Sequence, residues 1–179
     1  MNRDATRCPA IVTTVLSILL SIESLVAGPT APDAEFSMKS NWSRLCDGTD
    51  YVSVLISDDQ RECLEEVLVN GSPFLEHKWR FPLLSPGCHY LVFEVQRDAT
   101  ANDLFRFAWK FNSTNDDGFM DIAGAVASDC CEMVKSAPIT CTTQAGDLYI
   151  ALFDQHSQTP VPDPAISRVY VNYLRVETR

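Results

Sequence analysis

From Phe105 to Phe111 apolar and polar residues alternate without a break: Phe105, Phe107, Trp109 and Phe111 fall on one side, and Arg106, Ala108, Lys110 and Asn112 on the other. A period of two gives one aromatic face and one wetter face, as a half-buried strand requires. Related stretches, rich in β-branched or aromatic residues, recur at 51–57, 65–70, 89–97, 120–126, 147–154 and 168–177. Turn chemistry separates them at Asp47-Gly48, Asn70-Gly71-Ser72-Pro73, Ser85-Pro86-Gly87, Asn115-Asp116-Asp117-Gly118 and the proline-rich stretch from Pro160 to Pro164. Helix signals are few, although 57–68 also admits a helical reading through Asp58 to Glu62. About seven short strands joined by such turns predict an all-β protein: an antiparallel two-sheet β-sandwich, immunoglobulin-like or jelly-roll-like.

The amino terminus follows a different pattern. Arg3 and Arg7 precede an apolar run from Ile11 to Leu20, and Leu25-Val26-Ala27-Gly28 supplies the small residues of a cleavage site. This order predicts a secretory signal peptide over residues 1–27. Glu23 interrupts the run, which falls short of the ~20 apolar residues of a membrane-spanning helix, so no transmembrane segment is expected. Residues 28–35 lack periodicity and read as a flexible leader, with a single domain over 36–179. The expected location is extracellular.

Composition narrows the partners. The net charge is −10, and Asp4 and Glu23 balance Arg3 and Arg7 within the leader, so its removal leaves that charge unchanged. Such a chain repels phosphate backbones and anionic headgroups, which excludes nucleic acid as a natural partner.

Of seven cysteines, Cys8 lies in the leader, leaving Cys46, Cys63, Cys88, Cys130, Cys131 and Cys141. An even set in an exported chain predicts disulfides, with several connectivities open. The adjacent Cys130 and Cys131 should face opposite ways and take different partners. Cys131 with Cys141 is the bridge expected first, contributing roughly 2 to 3 kcal/mol by restricting the unfolded chain. Glycosylation sequons stand at Asn41, Asn70 and Asn112, beside turns or strand ends, with Asn112 the best placed.

Catalytic and metal chemistry leave little trace. No G-x-S-x-G, H-E-x-x-H or comparable grouping is present, so a non-enzymatic protein is expected. Asn115, Asp116, Asp117 and Asp121 offer oxygen ligands without the spacing of a calcium loop. His77, His89 and His156 lack zinc-motif spacing, so neither a metal site nor a cofactor is expected.

Several motifs, in order, resemble the ML (MD-2-related lipid-recognition) family of secreted domains, which includes ganglioside-activator and sterol-transfer proteins. They are Trp42-Ser43-Arg44-Leu45-Cys46-Asp47, then Pro86-Gly87 leading into Tyr90-Leu91-Val92-Phe93-Glu94-Val95. Cys131 and Cys141 ahead of Gly146-Asp147-Leu148-Tyr149 follow, and then the Pro160 to Pro164 loop before Val169-Tyr170-Val171-Asn172-Tyr173. The resemblance implies a lipid or sterol held between the two sheets, with Phe93, Phe105, Phe107, Trp109, Phe111 and Tyr149 as its lining and Phe74, Leu75, Trp79 and Phe81 as a lip. The same aromatic residues equally suit a filled core, since they carry large buried area in any sandwich. Two other binding functions share the strand pattern: recognition of another extracellular protein through loops or a sheet face, and a carbohydrate-binding jelly roll with Trp42 or Trp79 as the stacking platform.

Overall fold

The computed structural model describes residues 28–39, 42–46, 50–54, 61–98, 104–126, 134–154 and 165–179. Its strands are β1 (Ala34–Ser37), β2 (Arg44–Leu45), β3 (Glu62–Glu65), β4 (Val67–Val69), β5 (Ser72–Phe74), β6 (Glu76–Leu84), β7 (Gly87–Arg97), β8 (Phe105–Phe111), β9 (Met120–Val126), β10 (Lys135–Thr142), β11 (Gly146–Asp154) and β12 (Arg168–Thr178). One five-stranded sheet has the order β1-β6-β11-β8-β9 and the other β10-β7-β12-β3-β2, with β4 and β5 forming a separate hairpin. All pairings are antiparallel. The protein is an antiparallel two-sheet β-sandwich.

Alternation builds the core. Trp79 and Phe81 of β6, Phe105 and Phe107 of β8, and Leu148, Ile150 and Leu152 of β11 meet Leu91, Phe93 and Val95 of β7 and Leu64 of β3. Strand β12 contributes Val169 and Val171, then Leu174 and Val176, because a register shift between Val171 and Tyr173 exchanges its inward positions. Asn172 at that shift donates through Nδ2 to Glu94 Oε1 at 2.9 Å.

Several sequence expectations change in three dimensions. Residues 51–54 form a 3₁₀ turn rather than a strand, and the alternative helix over 57–68 is excluded for its described part, since 62–65 and 67–69 are strands. Strand β6, an inner strand of its sheet, was not expected. Its sequence Glu-His-Lys-Trp-Arg-Phe-Pro alternates, but charged residues on its outer face disguise it as surface. Leu75, Trp79 and Phe81, expected at a cavity lip, are fully buried core residues, which also removes Trp79 as a sugar platform; Phe74 stacks on Trp42 with ring centroids 4.9 Å apart. The expected flexible leader is tied into the fold: Thr30 pairs with Val176 through both backbone hydrogen bonds, the Asp33 N–H donates to the Arg80 carbonyl, and β1 pairs with β6.

Among the described residues two disulfides are formed, Cys46–Cys63 between the end of β2 and β3 and Cys88–Cys141 between β7 and β10. The second corrects the expected Cys131–Cys141 bridge. In the β7–β10 ladder Cys141 stands directly opposite Cys88, and this cross-strand proximity outweighs the short sequence separation that favoured Cys131. Cys130, Cys131, His156, the sequon at Asn41 and the Pro160 to Pro164 loop lie outside the described residues. Asn70 and Asn112 are exposed, each at a positive φ that asparagine tolerates better than most residues. Among the described residues no helix is long and apolar enough to cross a membrane.

Candidate functional site

Five of the six residues expected to line a ligand cavity lie on the inner face. Phe93, Phe105 and Phe107 are fully buried, and Phe93 and Phe107 are in ring contact with centroids 5.1 Å apart. Trp109 and Phe111 pack against the same core from its half-buried margin. Tyr149 does not join them: it alternates with the inward Leu148 and Ile150 and so points to the outer face of its sheet. Side chains of the described core meet one another here, as in a filled interior.

Among the described residues, two concave surfaces border strand β1, the edge of its sheet. On the outer face Phe36, Ser37, Lys78, Thr114, Asp116 and Tyr149 surround an open groove of about 310 Å³. Phe36 is paired with Lys78 in the β1–β6 ladder, and the residue is 43% exposed. The Lys78 ammonium lies 5.8 Å from the Phe36 ring centre and 6.0 Å from that of Tyr149, a favourable cation–π arrangement. It donates to the Thr114 carbonyl at 2.7 Å and to Asp116 Oδ1 at 2.6 Å. The other Asp116 oxygen accepts the Lys39 backbone N–H at 2.8 Å. Burial acts to raise the Asp116 pKa, but hydrogen bonds from Lys78 and Lys39 outweigh it and hold the carboxyl below its usual range. The acidic turn is thus bound up in protein contacts: Asp121 pairs with Arg106 and the Asp117 carbonyl accepts from Lys110.

On the opposite face of β1, where its margin meets β2 and β3 of the second sheet, a pocket of about 330 Å³ is lined by Glu35, Phe36, Ser37, Ser43, Leu45 and His77. Glu62 of β3 is completely buried behind it. His77 Nε2 lies 3.3 Å from Glu35 Oε2 and 3.4 Å from Glu62 Oε1, while His77 Nδ1 is 2.9 Å from Ser43 Oγ. Trp79 Nε1–H donates to Glu62 Oε2 at 3.0 Å, and its ring meets that of His77 edge-on. Ser43 is fixed in turn by its N–H donating to Ser37 Oγ and by the Ser37 hydroxyl donating to the Ser43 carbonyl.

The two carboxyls are driven apart. Burial, and then the neighbouring Glu35, push Glu62 well above the ordinary glutamate range against the Trp79 N–H. Burial opposes ionisation of Glu35 too, but hydrogen bonds from His77 and Glu62, the His77 charge and the Tyr51 backbone hold it below that range. Burial thus disfavours the charged form of Glu62, whereas the polar neighbours of Glu35 favour its charged form. Ser43, His77 and Glu35 follow the order of nucleophile, base and orienting carboxylate. A second carboxylate on the same ring nitrogen, however, makes this a convergent set of donors rather than a single relay.

Sequence reasoning did not foresee the meeting of Glu35, Glu62 and His77, because they come from three strands and share no local spacing. One signal was available: His77 stands in register with Trp79 and Phe81, so alternation alone turns it toward the interior.

No family model matches the chain, and no curated protein matches it. Among solved structures it is similar to TmCBM61 in complex with β-1,4-galactotriose, with a TM-score of 0.46 and 8% identity over 84% of this chain and 92% of that one. A second similar structure is the CBM22-1 xylan-binding domain of Paenibacillus barcinonensis Xyn10C, with a TM-score of 0.42 and 10% identity over 83% of this chain and 96% of that one. A third is the enzymatically active domain of bacteriophage CBA120 tailspike protein 4, with a TM-score of 0.40 and 9% identity over 82% of this chain but only 19% of that one.

Proposed function

We propose that this chain is a secreted, non-enzymatic binding domain that takes a neutral, hydroxyl-rich ligand, such as a saccharide, in the outer groove at β1. The observation that carries this reading is the exposed Phe36 ring beside the Lys78–Asp116 pair and the Thr114 backbone. An aromatic face beside fixed donors and acceptors suits a ligand with one apolar face and a polar rim. Lys78 and Asp116 neutralise each other, so the groove offers hydrogen bonds without a net charge for an ionic ligand. A lipid between the sheets would need Phe93, Phe105 and Phe107 at its surface; their mutual burial weighs against it.

The test is calorimetry and array binding of the mature protein against neutral oligosaccharides, in parallel with Phe36→Ala. Saccharide binding reduced at least ~10-fold in the variant supports the reading, since an aromatic contact contributes about 1 kcal/mol beyond the area it buries. Binding unaltered in Phe36→Ala, or no saccharide binding combined with stoichiometric copurifying lipid, overturns it.

A further inference from the structure

We infer that Glu35, Glu62 and His77 form a binding site for one divalent transition-metal ion, lying between the two sheets at the β1 margin. Their donor atoms lie within 4.8 Å of one another. A tetrahedral ion with bonds of about 2.1 Å separates its ligands by roughly 3.4 Å. His77 Nε2 stands 3.3 Å from Glu35 Oε2 and 3.4 Å from Glu62 Oε1, so two edges of that tetrahedron are already in place.

A second observation points into the same space. Glu62 is fully buried, and its Oε1 has no hydrogen-bond partner among the described residues. A buried carboxylate oxygen without a donor is costly, and a cation at this point satisfies it. Acidic surface clusters lack that feature. The outer contacts also fit: Trp79 Nε1–H holds the other Glu62 oxygen, and Ser43 Oγ engages the remaining ring nitrogen of His77. Because a hydroxyl both donates and accepts, Ser43 serves the tautomer that frees Nε2 for an ion.

The ligand set selects the class of ion. An imidazole with two carboxylates suits zinc and its neighbours, whereas calcium and magnesium require more oxygen ligands than these three residues supply. Three protein ligands leave a fourth position, on the side lined by Glu35, Ser37 and His77, for water or a ligand donor. The ion would link β1 and β6 of one sheet to β3 of the other and pin the sandwich margin. Phe36 and Ser37 border both this pocket and the outer groove, but neither is a proposed ligand of the ion, so Glu35→Gln and Phe36→Ala test the two sites separately.

The experiment uses the untagged mature chain, stripped with chelator and titrated with Zn²⁺ by calorimetry and with Co²⁺ by visible absorption. One equivalent of Zn²⁺, a tetrahedral Co²⁺ spectrum and a melting temperature raised by several degrees are expected. Glu35→Gln, at the accessible side of the site, should weaken Zn²⁺ binding at least ~100-fold while the stripped protein stays folded; His77→Gln should abolish the Co²⁺ spectrum. Absence of stoichiometric uptake overturns the inference. So does uptake that Glu35→Gln leaves unchanged in a folded protein, which would place the ion on surface carboxylates.

Discussion

The Asn112 side chain lies across Gly146: its Oδ1 accepts the Asp147 backbone N–H at 2.9 Å, and its amide occupies the space a Cβ on residue 146 would need. The Asn112 N–H donates in return to the Asp147 carbonyl at 2.8 Å. This reciprocal clamp closes the end of β8 onto the start of β11, the inner strand shared by β6 and β8.

Gly146→Ala should therefore cost about 1 to 3 kcal/mol, because the new methyl group must displace the amide. Asn112→Ala should cost about 1 kcal/mol through loss of one hydrogen bond. Chemical denaturation measures both. Thr114→Ala removes the sequon but keeps the amide, so it separates loss of a glycan from loss of the clamp.

The Cys88–Cys141 bridge closes a separation of 53 residues, against 17 for Cys46–Cys63. In the chain-entropy account these contribute about 4 and about 3 kcal/mol respectively. Replacing Cys88 and Cys141 together with alanine should lower the melting temperature more than replacing Cys46 and Cys63. Peptide mapping without reduction should recover a Cys88–Cys141 pair; a Cys131–Cys141 peptide would refute the assignment.

His89 sets a pH dependence. It is buried in β7, between Thr178 of β12 and Thr142 of β10, at 3.0 and 2.9 Å from their hydroxyls. Burial lowers its pKa below 6.5. Above the unfolded value near 6.5 both states are neutral and the native stability is intact. As pH falls below it the unfolded chain gains the proton first, so stability declines until the folded pKa is passed. Urea midpoints between pH 7.5 and 5 should fall, and His89→Gln should flatten the slope; an identical slope in the variant would exclude His89 as its source.

Phe36 and Phe107 should respond in opposite ways. Phe107 is fully buried, and Phe107→Ala should cost about 3 to 5 kcal/mol and deplete the secreted protein. Phe36 is exposed at the sheet edge, so Phe36→Ala should change stability by no more than about 0.5 kcal/mol while removing the groove's aromatic face. Equal losses of stability would place Phe36 in the core.

Trp79→Phe retains most of the buried ring but deletes the donor to Glu62 Oε2. A buried acceptor left unpaired costs about 1 to 3 kcal/mol, so the variant should be destabilised despite its conservative shape. A thermal unfolding curve indistinguishable from the parent would show that the hydrogen bond contributes nothing.

The local periodicity of the chain determined its class. Phe105, Phe107, Trp109 and Phe111 turn inward because a strand's side-chain period is two, and the turns at Asn70-Gly71 and Ser85-Pro86 separate strands as their residues dictate. That was enough for a two-sheet sandwich. It was not enough for β6, where Lys78 and Arg80 alternate with Trp79 and Phe81; their salt bridges to Asp116 and Asp33 make charge on the outer face acceptable, and both partners are distant in sequence. Tertiary structure alone decided the disulfide partner of Cys141, because register places Cys88 opposite it. It also decided the meeting of Glu35, Glu62 and His77, because antiparallel pairing and face-to-face packing gather residues from β1, β3 and β6. Periodicity reports which face a residue takes, and only the pairing of strands decides what it meets there.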